Sequence, residues 1–154
     1  MKKTFMGILI FILLLGSSCQ KVKVNESDYD FSLIAGINQY STVMSSVPGF
    51  PLQYTCKRNN EKVELALVFE CDYGQFLQWN NDSVVTEAGK VYAEKFENSV
   101  IFWSPLSDGK FSNKEQIIIS VNIIDELTKK NVNKLKYLIV KDENNFYFMN
   151  STKD

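Results

Sequence analysis

The stretch of sequence that decides the fold is KVELALVFEC, residues 62–71. Apolar side chains occupy every second position, and these are Val63, Leu65, Leu67, Phe69 and Cys71. The charged side chains of the stretch, Lys62, Glu64 and Glu70, occupy the alternate positions. Because successive side chains of a strand point to opposite faces, this period of two predicts an antiparallel strand with one buried and one wet face.

The same alternation recurs in residues 116–124, where Ile117, Ile119, Val121 and Ile123 share one face. Short apolar runs before and after these two strands are separated by turn signals such as Asn59-Asn60 and Gly74. About eight short strands follow one another at intervals of roughly ten residues, which is typical of an antiparallel sandwich. The sequence therefore predicts an all-β domain.

The chain divides into four segments by composition. Residues 1–18 form an export signal and residues 19–30 a polar, flexible tether. Residues 31–51 form an entry segment, irregular or with a short strand, that ends in the turn VPGFP. Residues 52–150 form the predicted sandwich, with the last four residues expected to fray.

The N-terminal segment has the three parts of a secretory signal. Lys2 and Lys3 precede an apolar run over residues 5–15, and three small residues follow at 16–18. A helix needs about 20 apolar residues to cross a hydrocarbon core of about 30 Å. The run is shorter than that, so we expect a cleaved signal and an exported protein.

The end of this signal, LGSSC at residues 15–19, resembles the lipobox of bacterial lipoproteins. The resemblance implies that Cys19 receives a diacylglyceryl group and becomes the mature N-terminus. The family usually has leucine three residues before the cysteine, where this chain has Gly16. Two or more acyl chains give stable anchoring in a membrane. For an exported chain, the expected location is therefore the outer face of the cell membrane, or the outer membrane.

The later part of the chain, over about residues 52–149, resembles bacterial immunoglobulin-like domains. A strand ending in Cys71, a turn with Gly74 and a strand carrying Trp79 are similar to the B and C strands of that fold. The partner cysteine expected on the F strand is missing, since the late strands carry Met149 and no cysteine. The resemblance thus implies an Ig-like sandwich without the inter-sheet disulfide.

Cys56 and Cys71 are the remaining cysteines and a candidate disulfide, because exported proteins form such bridges. In a simple hairpin over residues 52–71, Cys56 lies opposite Val63 and Cys71 lies about 26 Å further along that strand. A bridge requires Cα atoms within about 7 Å. The pair is bridged only if this hairpin is wrong; otherwise the two are buried thiols.

Trp103 and Tyr73 are the candidate residues for a binding surface. Aromatic side chains at alternating strand positions usually fill a core, and the core is the expected place for Trp79 and also for Trp103. Phe102 and Trp103 point to opposite faces of their strand, so a solvent-facing Trp103 would be a contact residue. Loops at the ends of the sandwich, such as those at residues 72–75 and 105–111, would carry the binding surface.

The composition argues against several kinds of function. The chain has no histidine, which excludes Ser-His-Asp and Cys-His catalysis and histidine zinc sites. Its net charge is −1, and removal of a signal with two lysines and no acidic residue makes it −3, so nucleic acid is not an expected partner. No catalytic residue, cofactor or metal ligand set is predicted, because aspartates in turns such as Asp72 and Asp125 are explained by turn chemistry.

Two functions agree with these features. The first is a membrane-anchored binding module whose partner is an envelope or extracellular protein or polymer. The alternative is a small envelope enzyme or enzyme inhibitor, since an exposed sheet edge can block a protease.

Overall fold

A computed structural model describes residues 23–43, 48–79, 85–107, 110–111 and 113–149. The predicted signal and Cys19 lie outside these ranges. No helix within them has the length and apolar character needed to cross a bilayer.

Two antiparallel sheets contain almost all of the regular structure. The five-stranded sheet has, in spatial order, β1 (Tyr29–Ala35), β3 (Phe50–Arg58), β8 (Ser99–Ser104), β5 (Gln75–Trp79) and β6 (Val85–Gly89). The six-stranded sheet has β2 (Tyr40–Ser41), β13 (Asn145–Met149), β12 (Lys130–Asp142), β11 (Gln116–Asp125), β4 (Leu65–Cys71) and β7 (Val91–Lys95). A short hairpin of β9 (Leu106–Ser107) and β10 (Lys110–Phe111) and a 3₁₀ turn at Glu26–Asp28 complete the described elements. The predicted all-β sandwich is confirmed.

The core lies between the inner faces of the two sheets. In β11 the inward side chains Ile117, Ile119, Val121 and Ile123 are fully buried. They are paired in register with the inward side chains of β4, as in Val121 opposite Phe69. Burying each of these side chains stabilises the fold by roughly 1.5–3 kcal/mol, which is why the two alternating stretches dominate the fold.

The sandwich begins earlier than the predicted boundary at residue 52. All seven residues of β1 pair with β3, from Tyr29 opposite Arg58 to Ala35 opposite Leu52. Tyr29 and Leu33 are buried on its inner face. Of the two alternatives for the entry segment, the strand is the one observed, and it is longer than its alternation indicates because Ile34 and Ala35 interrupt the apolar–polar pattern.

The predicted tether is also partly structured. Val24 packs against the core. The backbone N–H of Asn25 donates to the carboxylate of Asp28 at 2.8 Å and closes the 3₁₀ turn. The chain is thus held against the sandwich from Val24 onward.

The predicted hairpin over residues 52–71 is wrong. β3 and β4 belong to different sheets, and the chain crosses between them after Arg58. The crossing is fixed by Asp28, whose backbone carbonyl accepts the N–H of Asn59 at 2.8 Å and whose carboxylate accepts the side-chain amide of Asn60 at 3.1 Å. Asn60 also begins a turn, since its backbone carbonyl accepts the N–H of Val63 at 3.2 Å, but this turn lies within the crossing and does not join two strands of one sheet.

Candidate binding surface

Trp103 is a core residue and not a surface residue. Its side chain is fully buried and its ring lies edge-on to Phe146 at 5.5 Å. The indole N–H donates a hydrogen bond of 3.0 Å to the backbone carbonyl of Tyr73. The outward position of this strand is taken by Phe102, because alternation places Ile101 and Trp103 together on the inner face.

Trp79 has the opposite position from the one predicted, because 43% of its surface is exposed. Its ring meets Phe102 edge-on at 5.3 Å on the outer face of the five-stranded sheet. Leu77 and Trp79 do share a face, as predicted, but Phe76 takes the core side of β5. Leu77 is buried although it lies on the outer face, because the chain at Gly49 passes close to its side chain.

The loop at Tyr73 and the hairpin of β9 and β10, which fall in the predicted loops 72–75 and 105–111, meet at one end of the sandwich. The hydroxyl of Tyr73, which is half-buried, donates to the backbone carbonyl of Lys110 at 3.4 Å. The ammonium of Lys90 lies 6.0 Å above the Tyr73 ring. Beside Lys110, Phe111 exposes 56% of its surface. We call Tyr73, Lys90, Lys110 and Phe111 the loop surface.

Asp72 fixes the position of the loop surface. One oxygen of its carboxylate accepts the ammonium of Lys114 at 2.8 Å, and the other accepts the backbone N–H of Ile118 at 2.9 Å. The loop is therefore bonded to the start of β11, a rigid strand. Phe111 was not singled out from the sequence, although an isolated aromatic residue in a turn-rich segment is a signal that could have identified it.

A second surface covers the outer face of the five-stranded sheet. We call its partly or largely exposed apolar side chains the apolar face, and they are Ile34, Pro51, Trp79, Val85, Val100 and Phe102. Strand pairing brings them together, since Pro51 lies opposite Phe102 and Trp79 opposite Val85. An antiparallel sheet normally has one polar face, so this second apolar side requires an explanation.

The candidate disulfide is not formed, and Cys56 and Cys71 are free thiols in different sheets. Burial raises the pKa of each thiol to about 12. Since only the thiolate is a nucleophile, both are unreactive at neutral pH. They are small core-packing residues and carry no chemistry at this site.

The described acidic residues serve local structure. The carboxylate of Asp125 accepts the backbone N–H of Leu127 at 3.0 Å and the hydroxyl of Thr128 at 2.6 Å. These hydrogen bonds lower the pKa of Asp125, and the bond from the Thr128 hydroxyl contributes most to the lowering. Among the described residues no cluster of three potential metal ligands occurs. Asp82 and Asp108 lie outside the described ranges.

The hydroxyl of Tyr92 is hydrogen-bonded to the Glu94 carboxylate at the inner side of the edge strand β7. Burial raises the pKa of Tyr92, and the hydrogen bond and negative charge of Glu94 raise it further. An inward carboxylate on an edge strand disfavours pairing with another chain.

Comparisons of the chain with protein-family models, with curated proteins and with solved structures gave no match. The two surfaces and the sequence of the N-terminal segment are therefore the basis for a functional assignment.

Proposed function

We propose that this chain is an exported lipoprotein, anchored in a membrane through Cys19, whose β-sandwich is a binding module with the loop surface as its contact site. The observation that carries the binding role is the meeting of Tyr73, Lys90, Lys110 and Phe111 at one end of the sandwich. Tyrosine is one of the residue types that most often dominate binding energy, and aromatic residues including phenylalanine are enriched in interfaces.

The chemistry of the loop surface indicates what kind of partner it takes. Phe111 offers an apolar contact, while the ammonium groups of Lys90 and Lys110 attract negative charge. An envelope or extracellular protein or polymer with acidic groups beside an apolar one would fit. The loop surface lies at the opposite end of the sandwich from Asn25 and Asp28, where the chain enters, so an anchor at Cys19 leaves it accessible.

The binding role predicts that Phe111→Ser reduces capture of the partner by about tenfold, which corresponds to about 1.4 kcal/mol. Capture is measured by crosslinking on intact cells and quantifying the proteins recovered with the tagged chain. The matched control is Leu127→Ser, because Leu127 is 61% exposed and lies on the β11–β12 turn at the other end. Equal recovery with both variants would contradict the assignment to the loop surface.

The anchor predicts the mass of the protein isolated from membranes. The N-terminus should be Cys19 carrying a diacylglyceryl group, and Cys19→Ser should release the protein from the membrane fraction. Alkylation at pH 7 should add nothing to the folded protein and two groups after unfolding, because the raised pKa values of Cys56 and Cys71 keep both thiols protonated. An unmodified N-terminus at another residue would refute the anchor.

A further inference from the structure

We infer that the apolar face rests on the lipid bilayer, so that the domain is held at two points, the acylated Cys19 and the outer side of the five-stranded sheet. This inference depends on the anchor proposed above. It adds the orientation of the domain and a second, non-covalent membrane contact.

The apolar face crosses the sheet in two adjacent rows of cross-strand neighbours, and the second row is interrupted by the polar side chain of Gln53. In the first row Pro51 lies opposite Phe102, and Phe102 lies opposite Leu77. In the second row Gln53 lies between Ile34 and Val100, and the two rows are joined where Trp79 contacts Phe102. Together they extend from β1 at one edge to Val85 of β6 at the other.

Charge distinguishes this face from the outer face of the six-stranded sheet. There the outward positions include Glu70, Lys95, Lys134 and Lys136, and Glu70 forms an ion pair of 3.4 Å with Lys134. In the two rows of the apolar face the only charged residue is Glu87, opposite Leu77 on the edge strand β6; Asp30 and Lys57 are on the same outer face but lie beyond the rows, near Tyr29 and Arg58. Desolvating the apolar face therefore costs little, whereas desolvating the other face would require the removal of several charges from water.

The position of the anchor brings the apolar face within reach of the bilayer. Cys19 is four residues before Lys23, so their Cα atoms are at most about 14 Å apart. From Val24 the chain is packed on the domain and leads directly into β1. Ile34 is five residues beyond Tyr29 along this strand, a distance of about 16 Å. Since 15 residues separate Cys19 from Ile34, the lipid and the apolar face are at most about 50 Å apart along the chain.

A bilayer fits this surface better than a second copy of the chain does. A stable interface buries about 800 Å² on each partner and involves 20–30 residues on each side. The apolar face has six side chains, most of them less than half exposed, such as Val100 at 44%. A weak contact is sufficient on a membrane, however, because the anchor makes the second binding event intramolecular. Tryptophan, like Trp79 here, is enriched at the membrane–water interface.

The test uses the chain from Cys19 onward, which contains every described core residue from Val24 to Phe148. Cys19 is coupled to a maleimide lipid in phosphatidylcholine vesicles, and the raised pKa values of Cys56 and Cys71 direct the reaction to Cys19. The fluorescence of the two tryptophans is then compared with and without brominated acyl chains. Trp103 is fully buried, so quenching reports on Trp79.

The expected result is a loss of up to about half of the emission in brominated vesicles, because one of the two tryptophans is reachable. Val100→Asp should reduce this loss several-fold. The matched control is Val91→Asp on β7 of the other sheet, where Val91 is 58% exposed, and it should leave the loss unchanged. Trp79→Phe should abolish the loss and so identify the reporting side chain.

Two results would overturn the inference. One is emission that brominated lipid does not change in the coupled wild-type chain. The other is a dimer of the uncoupled chain in sedimentation that Val100→Asp dissociates, since this would assign the apolar face to a second copy. Because the lipid is attached chemically, these outcomes do not depend on acylation in the cell, which the mass of the native protein tests separately.

Discussion

Trp103→Ala is expected to lower the free energy of unfolding by about 3–5 kcal/mol, the usual cost of removing a buried tryptophan. Trp103 is fully buried and is paired with Phe50 on one side and Phe76 on the other. Truncation leaves a cavity between these strands and removes the hydrogen bond to the Tyr73 carbonyl. Urea denaturation followed by far-UV circular dichroism measures the loss.

Trp79→Ala is the matched control for this substitution. Trp79 lies on the outer face of β5, on the side of the sheet that faces away from the core, and is 43% exposed. We expect it to cost less than about 1.5 kcal/mol, because partial exposure reduces both the transfer and the cavity contributions. Equal costs for the two tryptophans would contradict their assigned faces.

Gly74→Ala is expected to lower the free energy of unfolding by about 3 kcal/mol or more, as the sum of left-handed backbone strain and overpacking. Gly74 has a φ of +78°. A Cβ atom added there would lie 2.3 Å from the backbone oxygen of Ser104 and 2.7 Å from Nε1 of Trp103. Neither neighbour can move without disturbing β8 or the Trp103–Tyr73 hydrogen bond. Urea denaturation again measures the effect.

Gly89→Ala separates the backbone strain from the overpacking. Gly89 has a φ of +82°, but an added Cβ would have no atom within 4 Å. This variant should therefore show the backbone strain alone, about 1–2 kcal/mol. If both glycine variants cost the same, close contact with β8 is not the reason for glycine at position 74. The Gly74 variant should also weaken partner capture, since the Tyr73 loop carries the loop surface.

The sequence was least informative where apolar residues occur at neighbouring positions. In β5, Phe76 and Leu77 are consecutive, and either could face the core. Alternation places Leu77 and Trp79 on the same face of β5 but does not determine which face of this strand is buried. Packing decided this, because Phe76 is inserted beside Phe69 at 6.2 Å and the chain at Gly49 covers Leu77 from outside. The exposed Trp79, and with it the apolar face, therefore could not be predicted.

Part of the loop surface could be predicted. Turn signals placed residues 72–75 and 105–111 in loops, and Tyr73 was identified as a candidate. Their contact depends on the pairing of β5 with β8, which brings Gln75 opposite Ser104 although they are far apart in the chain. Phe111 is a binding candidate only because this pairing places it beside Tyr73.

By itself the sequence determined the all-β class and the inward faces of β4 and β11, since the inward positions of each strand carry a run of apolar side chains while the charged or polar side chains among them lie on the other face. Only the tertiary structure decided which strands are neighbours. Arg58 to Glu64 form a crossing between sheets and not a hairpin, because Asp28, about thirty residues earlier, binds Asn59 and Asn60. Alternation is a local property of the strand, whereas pairing is decided by the burial and hydrogen bonds that distant segments gain together.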